Sequence, residues 1–310
     1  MRACVDIGGT KVSVSLNAGQ GRTQLLASRV EPTVKIGTPD VLARQVIRMV
    51  DAACVELGLL PALVQTAGVC APGPFVLEAG AIALASPNLC GAMAMAGRPT
   101  DLSNDWRTVP LEAPLRQRFA HLRIDNDAVA ALQAERRWGA LQGVDHCAYV
   151  TWSTGVGSGL CVGGQVLRGK QGNAGHIGHT FVSDDDSAVC GCGNVGDLEA
   201  LVGGHAIAQR WGISASALFA AAAGGDAQAL TRADQLCRVM GRGLYNLVAL
   251  LDLQRISLGG SVFFHHQALL MPGLQAQVRG RLSALTDACE LVPAGLGARV
   301  GDYAALALID

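Results

Sequence analysis

Apolar and polar positions along the first residues of this chain alternate with a period of two. Residues 3–7 read as a strand, and Val12, Val14 and Leu16 alternate with Ser13 and Ser15. Between these two runs, Gly8-Gly9-Thr10-Lys11 forms a hairpin tip. The period then changes. Leu42, Val46, Met49, Val50, Ala53 and Leu57 recur at helical spacing, opened by Thr38 as cap with Pro39 at the first position and closed by Gly58. That stripe is core packing. Residues 63–69 read as a buried strand broken by Ala71-Pro72-Gly73-Pro74, residues 86–89 as a turn, 109–120 as a short helix and 122–124 as a strand. An Ala-rich helix runs from Asp125-Asn126-Asp127 to about Trp138. Residues 147–151 and 160–162 are strands around a Gly/Ser/Thr tip at 153–159. Helices follow at 205–211, from Ser214, and along a stripe of Leu236, Val239, Met240, Leu244, Leu247, Val248 and Leu251. Residues 256–258 form a short strand ended by Gly259-Gly260-Ser261, and 303–309 a terminal helix. Strand, tip, strand thus occurs twice, about 145 residues apart. The echo predicts two similar α/β halves facing one cleft, with a nucleotide between them.

Composition narrows the class. Length favours two modest domains, and with half the residues apolar but only 4% aromatic, the core is built mainly from Ala, Val and Leu. A net charge of −1 leaves no footprint for nucleic acid. No run of about twenty apolar residues spans a membrane. Asp6 interrupts the first apolar run, so no signal peptide is expected, and the ten cysteines read as reduced thiols in the cytoplasm.

The chemistry concentrates in residues 172–199. His179, Cys190 and Cys192 are ligands of the kind zinc selects, and Asp197 can supply a fourth. A closed set of four points to a structural metal; a plain Gly-rich loop with two free thiols is the alternative. Elsewhere, the first tip can offer backbone N–H groups and the Thr10 hydroxyl to phosphate oxygens, and Asp6 can hold magnesium through water. It also reads as an ordinary hairpin turn. Asn88 can serve a ligand hydroxyl or simply a turn. One carboxylate of the 125–127 group can take a proton from an attacking hydroxyl, although Asp and Asn there are also preferred helix caps. Gly259 and Gly260 let a flat base or ribose approach the backbone, or merely end a strand.

Together these residues resemble the ROK family of sugar kinases and repressors, which has the actin-like ATPase (ribonuclease H-like) fold of two similar α/β domains around a cleft. The resemblance covers nearly the whole chain. It rests on residues 6–11, on Asn126-Asp127-Ala128, on Ser153-Thr154-Gly155-Val156-Gly157, on Gly175-x-x-Gly178-His179 with Cys190-x-Cys192-Gly193, and on Leu258-Gly259-Gly260. It implies domains at 1–124 and 125–310, with the terminal helix packing back on the first. Asp6, Gly8, Gly9, Thr10 and Lys11, with Thr154, Gly155, Val156 and Gly157, would serve ATP and its magnesium, and Gly259 and Gly260 would flank the adenosine. Asp127 would be the base, with Asn88, Asn126, Asp127, His176, His179 and Glu199 on the sugar, and His179 would also bind zinc with Cys190 and Cys192.

Two positions depart from the family pattern. His176 stands where the family has Glu, and the run from Ala174 to Thr180 resembles that of the bacterial N-acetylmannosamine kinases. Asp197 stands where the family has a third cysteine, which weakens the zinc site. The expectation is an ATP-dependent kinase acting on the 6-hydroxyl of N-acetylmannosamine, cytoplasmic and homodimeric, with small-molecule partners only. The alternatives are a glucokinase, an N-acetylglucosamine kinase, a fructokinase or a cyclitol kinase, and outside catalysis a silent sugar-binding protein or a repressor. ROK repressors carry a DNA-binding domain before the first tip, and Asp6 leaves no room for one.

Overall fold

The structure is a computed structural model and describes residues 1–19, 21, 23–93 and 102–310. It divides into two compact units. One comprises Met1–Ala134, Arg168–Asn173 and Gly301–Asp310; the other comprises Glu135–Leu167 and Ala174–Val300. This differs from a division after residue 124 in where residues 125–134, 168–173 and 301–310 belong.

In the first unit the strands are β1 (Arg2–Ile7), β2 (Lys11–Asn17), β3 (Leu25–Pro32), β4 (Thr66–Ala71), β5 (Phe75–Glu78), β6 (Ala81–Leu84), β7 (Val109–Pro110) and β8 (His121–Asn126). Among the described residues they form a sheet in the order β3-β2-β1-β4-β8 and a smaller one, β5-β6-β7. Strands β1, β2 and β3 are antiparallel neighbours, whereas β1, β4 and β8 run parallel. The period-two apolar set Ala3, Val5, Ile7, Val12, Val14 and Leu16 is buried in one core with Leu42, Val46, Met49 and Val50 of helix α1 (Val41–Glu56). That helix starts later than Thr38-Pro39. The Val41 N–H donates to the Thr38 carbonyl, closing a turn that makes Asp40 the cap residue. The helix expected at 109–120 shortens to α2 (Glu112–Arg118), because Val109–Pro110 pairs with β6 instead. Residues 63–69 likewise divide: 61–63 form a 3-10 turn, and the strand runs on to Ala71. The terminal helix, Val300–Ala307, lies against β4, where a Cβ on Gly68 would collide with the Ala305 carbonyl. Arg2 clamps the chain end through the Ile309 carbonyl and the Asp310 carboxylate, both at 2.7 Å.

Helix α3 (Asp127–Trp138) leads from one unit into the other. In the second unit, β9 (Cys147–Trp152), β10 (Val156–Val162), β11 (Gln165–Val166), β12 (Arg255–Gly259) and β13 (Glu290–Pro293) take the order β11-β10-β9-β12-β13. The pattern of two antiparallel and two parallel pairings repeats that of the first unit. This is the doubled α/β arrangement of the actin-like ATPase fold. Strand β10 begins earlier than expected: Gly157 and Ser158 pair with Thr151 and Val150, so the second tip is only Ser153-Thr154-Gly155. The helices are α4 (Leu198–Val202), α5 (Gly204–Trp211), α6 (Ala215–Ala223), α7 (Ala227–Leu251), α8 (Ser261–Val278) and α9 (Ser283–Thr286). The α7 stripe of Leu236, Met240, Leu244, Leu247 and Val248 shares a core with Ala148, Val150, Ile256 and Leu258 of the sheet. Helix α8 escapes sequence reading because it kinks at His266, carries Pro272 inside, and concentrates its apolar residues on no single face. Glu135, fully buried, joins several of these parts. Its carboxylate accepts from the Ala140, Gly295 and Leu296 N–H groups at 2.8–2.9 Å and from the Ser257 hydroxyl at 3.2 Å. Among the described residues no helix is long and apolar enough to cross a membrane.

Candidate active site and metal group

In the first unit the parallel strands end together. Asp6 pairs with Cys70, Cys70 with Asp125, and Ala71 with Asn126, so residues far apart in sequence meet where open α/β sheets put their ligands. The hairpin tip is held from its own unit. The Gly8 N–H donates to the Lys11 carbonyl at 2.8 Å, and Thr33 donates from its hydroxyl to the Gly8 carbonyl at 2.7 Å and from its N–H to the Thr10 carbonyl at 3.0 Å. A Cβ on Gly9 would lie 3.1 Å from the Cβ of Asn88, so the tip and the exposed turn at Asn88 are neighbours.

The three polar residues at the end of β8 take three different roles. Asn126 behaves as a cap, its Oδ1 accepting from the Ala128 N–H at 3.0 Å. Asp125 is buried and held by Arg168, with Nε at 3.0 Å, and by Gln133 at 3.3 Å. Asp127 accepts the Ala128 N–H at 2.7 Å and is exposed. Protein crowded around this carboxyl raises its pKa despite the hydrogen bonds from Ala128 and Asn126. Asp6 is pushed up to about 6, first by burial and then by Asp127, while Lys11 pulls it down. Two acids sharing one field in this way suit a hard divalent cation. The Asp125–Arg168 pair was not foreseen, because the partner lies forty-three positions away with no local signal.

In the second unit the tip is supported by a carboxylate. The Val156 N–H donates to Glu199 Oε2 at 2.8 Å, and a Cβ on Gly155 would occupy the place of that oxygen. Glu199 Oε1 receives the Cys190 thiol at 3.5 Å. Ser153 and Ser261 share a hydroxyl–hydroxyl hydrogen bond of 2.9 Å, which brings the Gly259-Gly260-Ser261 turn beside the tip. Gly260 has φ +86°, and a Cβ there would strike the Trp152 backbone, so glycine is required by packing alone. Sequence reasoning assigned Glu199 to a sugar and missed its role under the tip.

His179 Nδ1, Cys190 Sγ, Cys192 Sγ and an Asp197 oxygen lie within 4.8 Å of one another. His179 Nδ1 is 3.1 Å from Asp197 Oδ2, 3.8 Å from Cys190 Sγ and 3.5 Å from Cys192 Sγ, and Cys192 Sγ is 3.7 Å from Asp197 Oδ2. The edges of a tetrahedron with zinc–sulfur and zinc–nitrogen bonds are about 3.3–3.8 Å, so these residues fit a four-coordinate zinc ion. Asp197 is fully buried. Burial pushes its carboxyl up, but hydrogen bonds from His179 and the Ala200 N–H outweigh that and leave it lowered. The Asp197 bond raises His179, whereas burial and the neighbouring His179 lower His176. The two imidazoles stack with centroids 5.9 Å apart.

The sequence profile of the ROK family matches residues 2–310. The chain belongs to the ROK family. Among ROK relatives, it is 29% identical to a glucokinase of Aeropyrum pernix over 98% of this chain and 95% of that protein. It is 33% identical to an N-acetylmannosamine kinase of Escherichia coli O139:H28 over 83% of this chain and 82% of that one. The crystal structure of a ROK hexokinase from Thermus thermophilus superposes with a TM-score of 0.73 at 30% identity, covering 98% of this chain and 95% of the other.

Proposed function

We propose that this ROK family sugar kinase transfers the γ-phosphoryl group of ATP to the 6-hydroxyl of N-acetylmannosamine, with Asp127 as the base. The observation that carries this reading is the division of labour after β8. Asp125 is committed to Arg168 and the Asn126 Oδ1 to the cap, which leaves Asp127 as the exposed carboxylate of the three, with its pKa raised. Its carboxylate takes the hydroxyl proton as the sugar oxygen bonds to the γ-phosphorus and the bond to the ADP oxygen breaks. Asn88 and Asn126 bind sugar hydroxyls, and His179 and Glu199 complete that set. Residues 8–11 and 154–157 hold the phosphates through the Thr10 and Thr154 hydroxyls and backbone N–H groups other than those of Gly8 and Val156, with Gly259 and Gly260 against the adenosine. Asp6 would hold magnesium, which would supply neutralisation of the phosphate charge. His179, Cys190, Cys192 and Asp197 would hold zinc, which would cross-link the 172–199 loop. The enzyme is cytoplasmic and a homodimer on this reading, and sedimentation velocity checks the second point.

His176 carries the choice of sugar. With its pKa lowered, the imidazole is neutral at physiological pH and presents one donor and one acceptor, whereas a carboxylate presents acceptors only. An acetamido group offers both partners. The E. coli relative supports the same choice, and the glucokinase relative supports glucose as the second reading. An ADP-coupled assay against N-acetylmannosamine, N-acetylglucosamine, glucose, mannose and fructose tests it. N-acetylmannosamine should have the highest kcat/KM, and His176→Glu should shift preference toward sugars lacking the acetamido group. Glucose as the best substrate removes the argument from His176; no turnover on any of the five removes the hexose reading.

A further inference from the structure

Asp197 does two things at once. Its Oδ2 faces His179 and Cys192 in the metal group, while its Oδ1 accepts the Ala200 N–H at 2.7 Å and so caps α4. That helix carries Glu199 in its first turn, and Glu199 holds the Val156 N–H of the second tip. One side chain therefore joins the ligand cluster to a helix start, and the helix start to a phosphate-type loop. A cysteine at the same place can bind metal through its single sulfur but is a poor cap, because capping needs an oxygen able to accept the N–H two or three residues on.

We propose that Asp197 is a positioning residue that couples metal occupancy to the 153–157 tip, its two oxygens divided between the metal and the α4 cap. The proposal rests on the zinc reading above and extends it. With metal bound, Asp197 is clamped through Oδ2, and Oδ1 fixes the helix from which Glu199 reaches Val156. Without metal, the contacts with His179 and Cys192 are what hold Asp197 Oδ2. The aspartate thus exchanges some metal affinity for a physical link that a third thiolate does not provide.

The two oxygens can be tested apart. Asp197→Asn keeps an amide oxygen for the cap and loses the anionic ligand. Asp197→Cys keeps a metal ligand and loses the cap. Zinc affinity is measured by competition with a chromogenic chelator, and protection of the segment 153–160 by amide hydrogen exchange, with and without chelator, on the full chain. Asp197→Asn is expected to bind zinc at least about tenfold more weakly while its metal-free exchange stays that of wild type. Asp197→Cys is expected to bind zinc as tightly as wild type or more so, yet to exchange several-fold faster at 153–160 in the metal-free protein and to recover less on adding zinc. Wild type should gain protection at 153–160 when zinc is added. Wild-type zinc binding with no change in that protection overturns the coupling alone. Wild-type exchange at 153–160 in Asp197→Cys overturns the cap half. No zinc bound by wild type overturns the metal reading and the coupling with it.

Discussion

The two hairpins of this protein share a backbone plan and differ in what supports their tips. The first, β1–β2, is held by its own strand partners and by Thr33, and its last strand residues include a charged Asp6 with a raised pKa. The second, β9–β10, has Thr151 paired with Gly157 where the first pairs Asp6 with Ser13, and a carboxylate from a distant helix reaches under its tip. The first hairpin therefore brings two acids with raised pKa values, Asp6 and Asp127, into one field beside Lys11. The second has its acid, Glu199, under the tip, where it also receives the Cys190 thiol and so links the tip to the cluster of His179, Cys190, Cys192 and Asp197. A duplicated strand plan fixes where one hairpin tip lies in each unit, and single side chains decide which tip has charge beside it and which is wired to other parts.

The largest effect that sharpens this contrast belongs to Asp127. Asp127→Asn should lower kcat by roughly 10²–10⁴-fold while calorimetry finds sugar affinity little changed; near-normal turnover would remove Asp127 as the base. Because the base acts deprotonated and its pKa is raised by the protein around it, the acidic limb of kcat/KM should lie above the ordinary carboxylate range near pH 4. A limb at that ordinary value would contradict the crowding around Asp127.

Glu199→Ala comes next. It leaves the buried Val156 N–H without its partner, at a cost of about 1–3 kcal/mol. The melting temperature should fall and the KM for ATP rise, by about tenfold for 1.4 kcal/mol. The matching change in the first unit, Thr33→Val, removes only one neutral hydrogen bond, worth about 1 kcal/mol. Equal effects of the two substitutions would erase the distinction between the hairpins.

The last effect is on stability and has the opposite sign. The folded Asp6 holds its proton up to about pH 6 against an ordinary 3.8, so the native state binds more protons than the unfolded chain between these values. Stability is accordingly lost as pH rises through that window, and above it the full penalty is present. Asp6→Asn should raise the stability of the ligand-free protein at pH 7 by up to about 2 kcal/mol. Melting curves should converge with wild type near pH 4 and below. A variant less stable than wild type at neutral pH would show that Asp6 is compensated by contacts and not strained.

Much of this was legible in local patterns. Period-two alternation located β2, short apolar runs located β1 and β9, which are buried along nearly their whole length, and the α7 stripe gave the long helix, because it buries one face and the pattern records it. His179, Cys190, Cys192 and Asp197 were legible as a ligand set because they sit close in sequence. Three features were not. Val109–Pro110 became a strand only because β6 lies beside it, helix α8 hides behind a kink and Pro272, and Asp125 found a partner in Arg168 far along the chain.

The sequence by itself determined the alternation of strands and helices, the doubled plan and the residue types available for chemistry, since these depend on neighbours a few positions apart. Only the tertiary structure decided which of Asp125, Asn126 and Asp127 is tied to Arg168, which caps a helix and which is left exposed, that Glu199 holds the second tip, and that Asp197 caps a helix while facing His179 and Cys192. The reason is physical. A polar side chain takes its role from the partner that satisfies it, and in a folded protein that partner is chosen by strand register and packing, which bring together atoms that are remote along the chain.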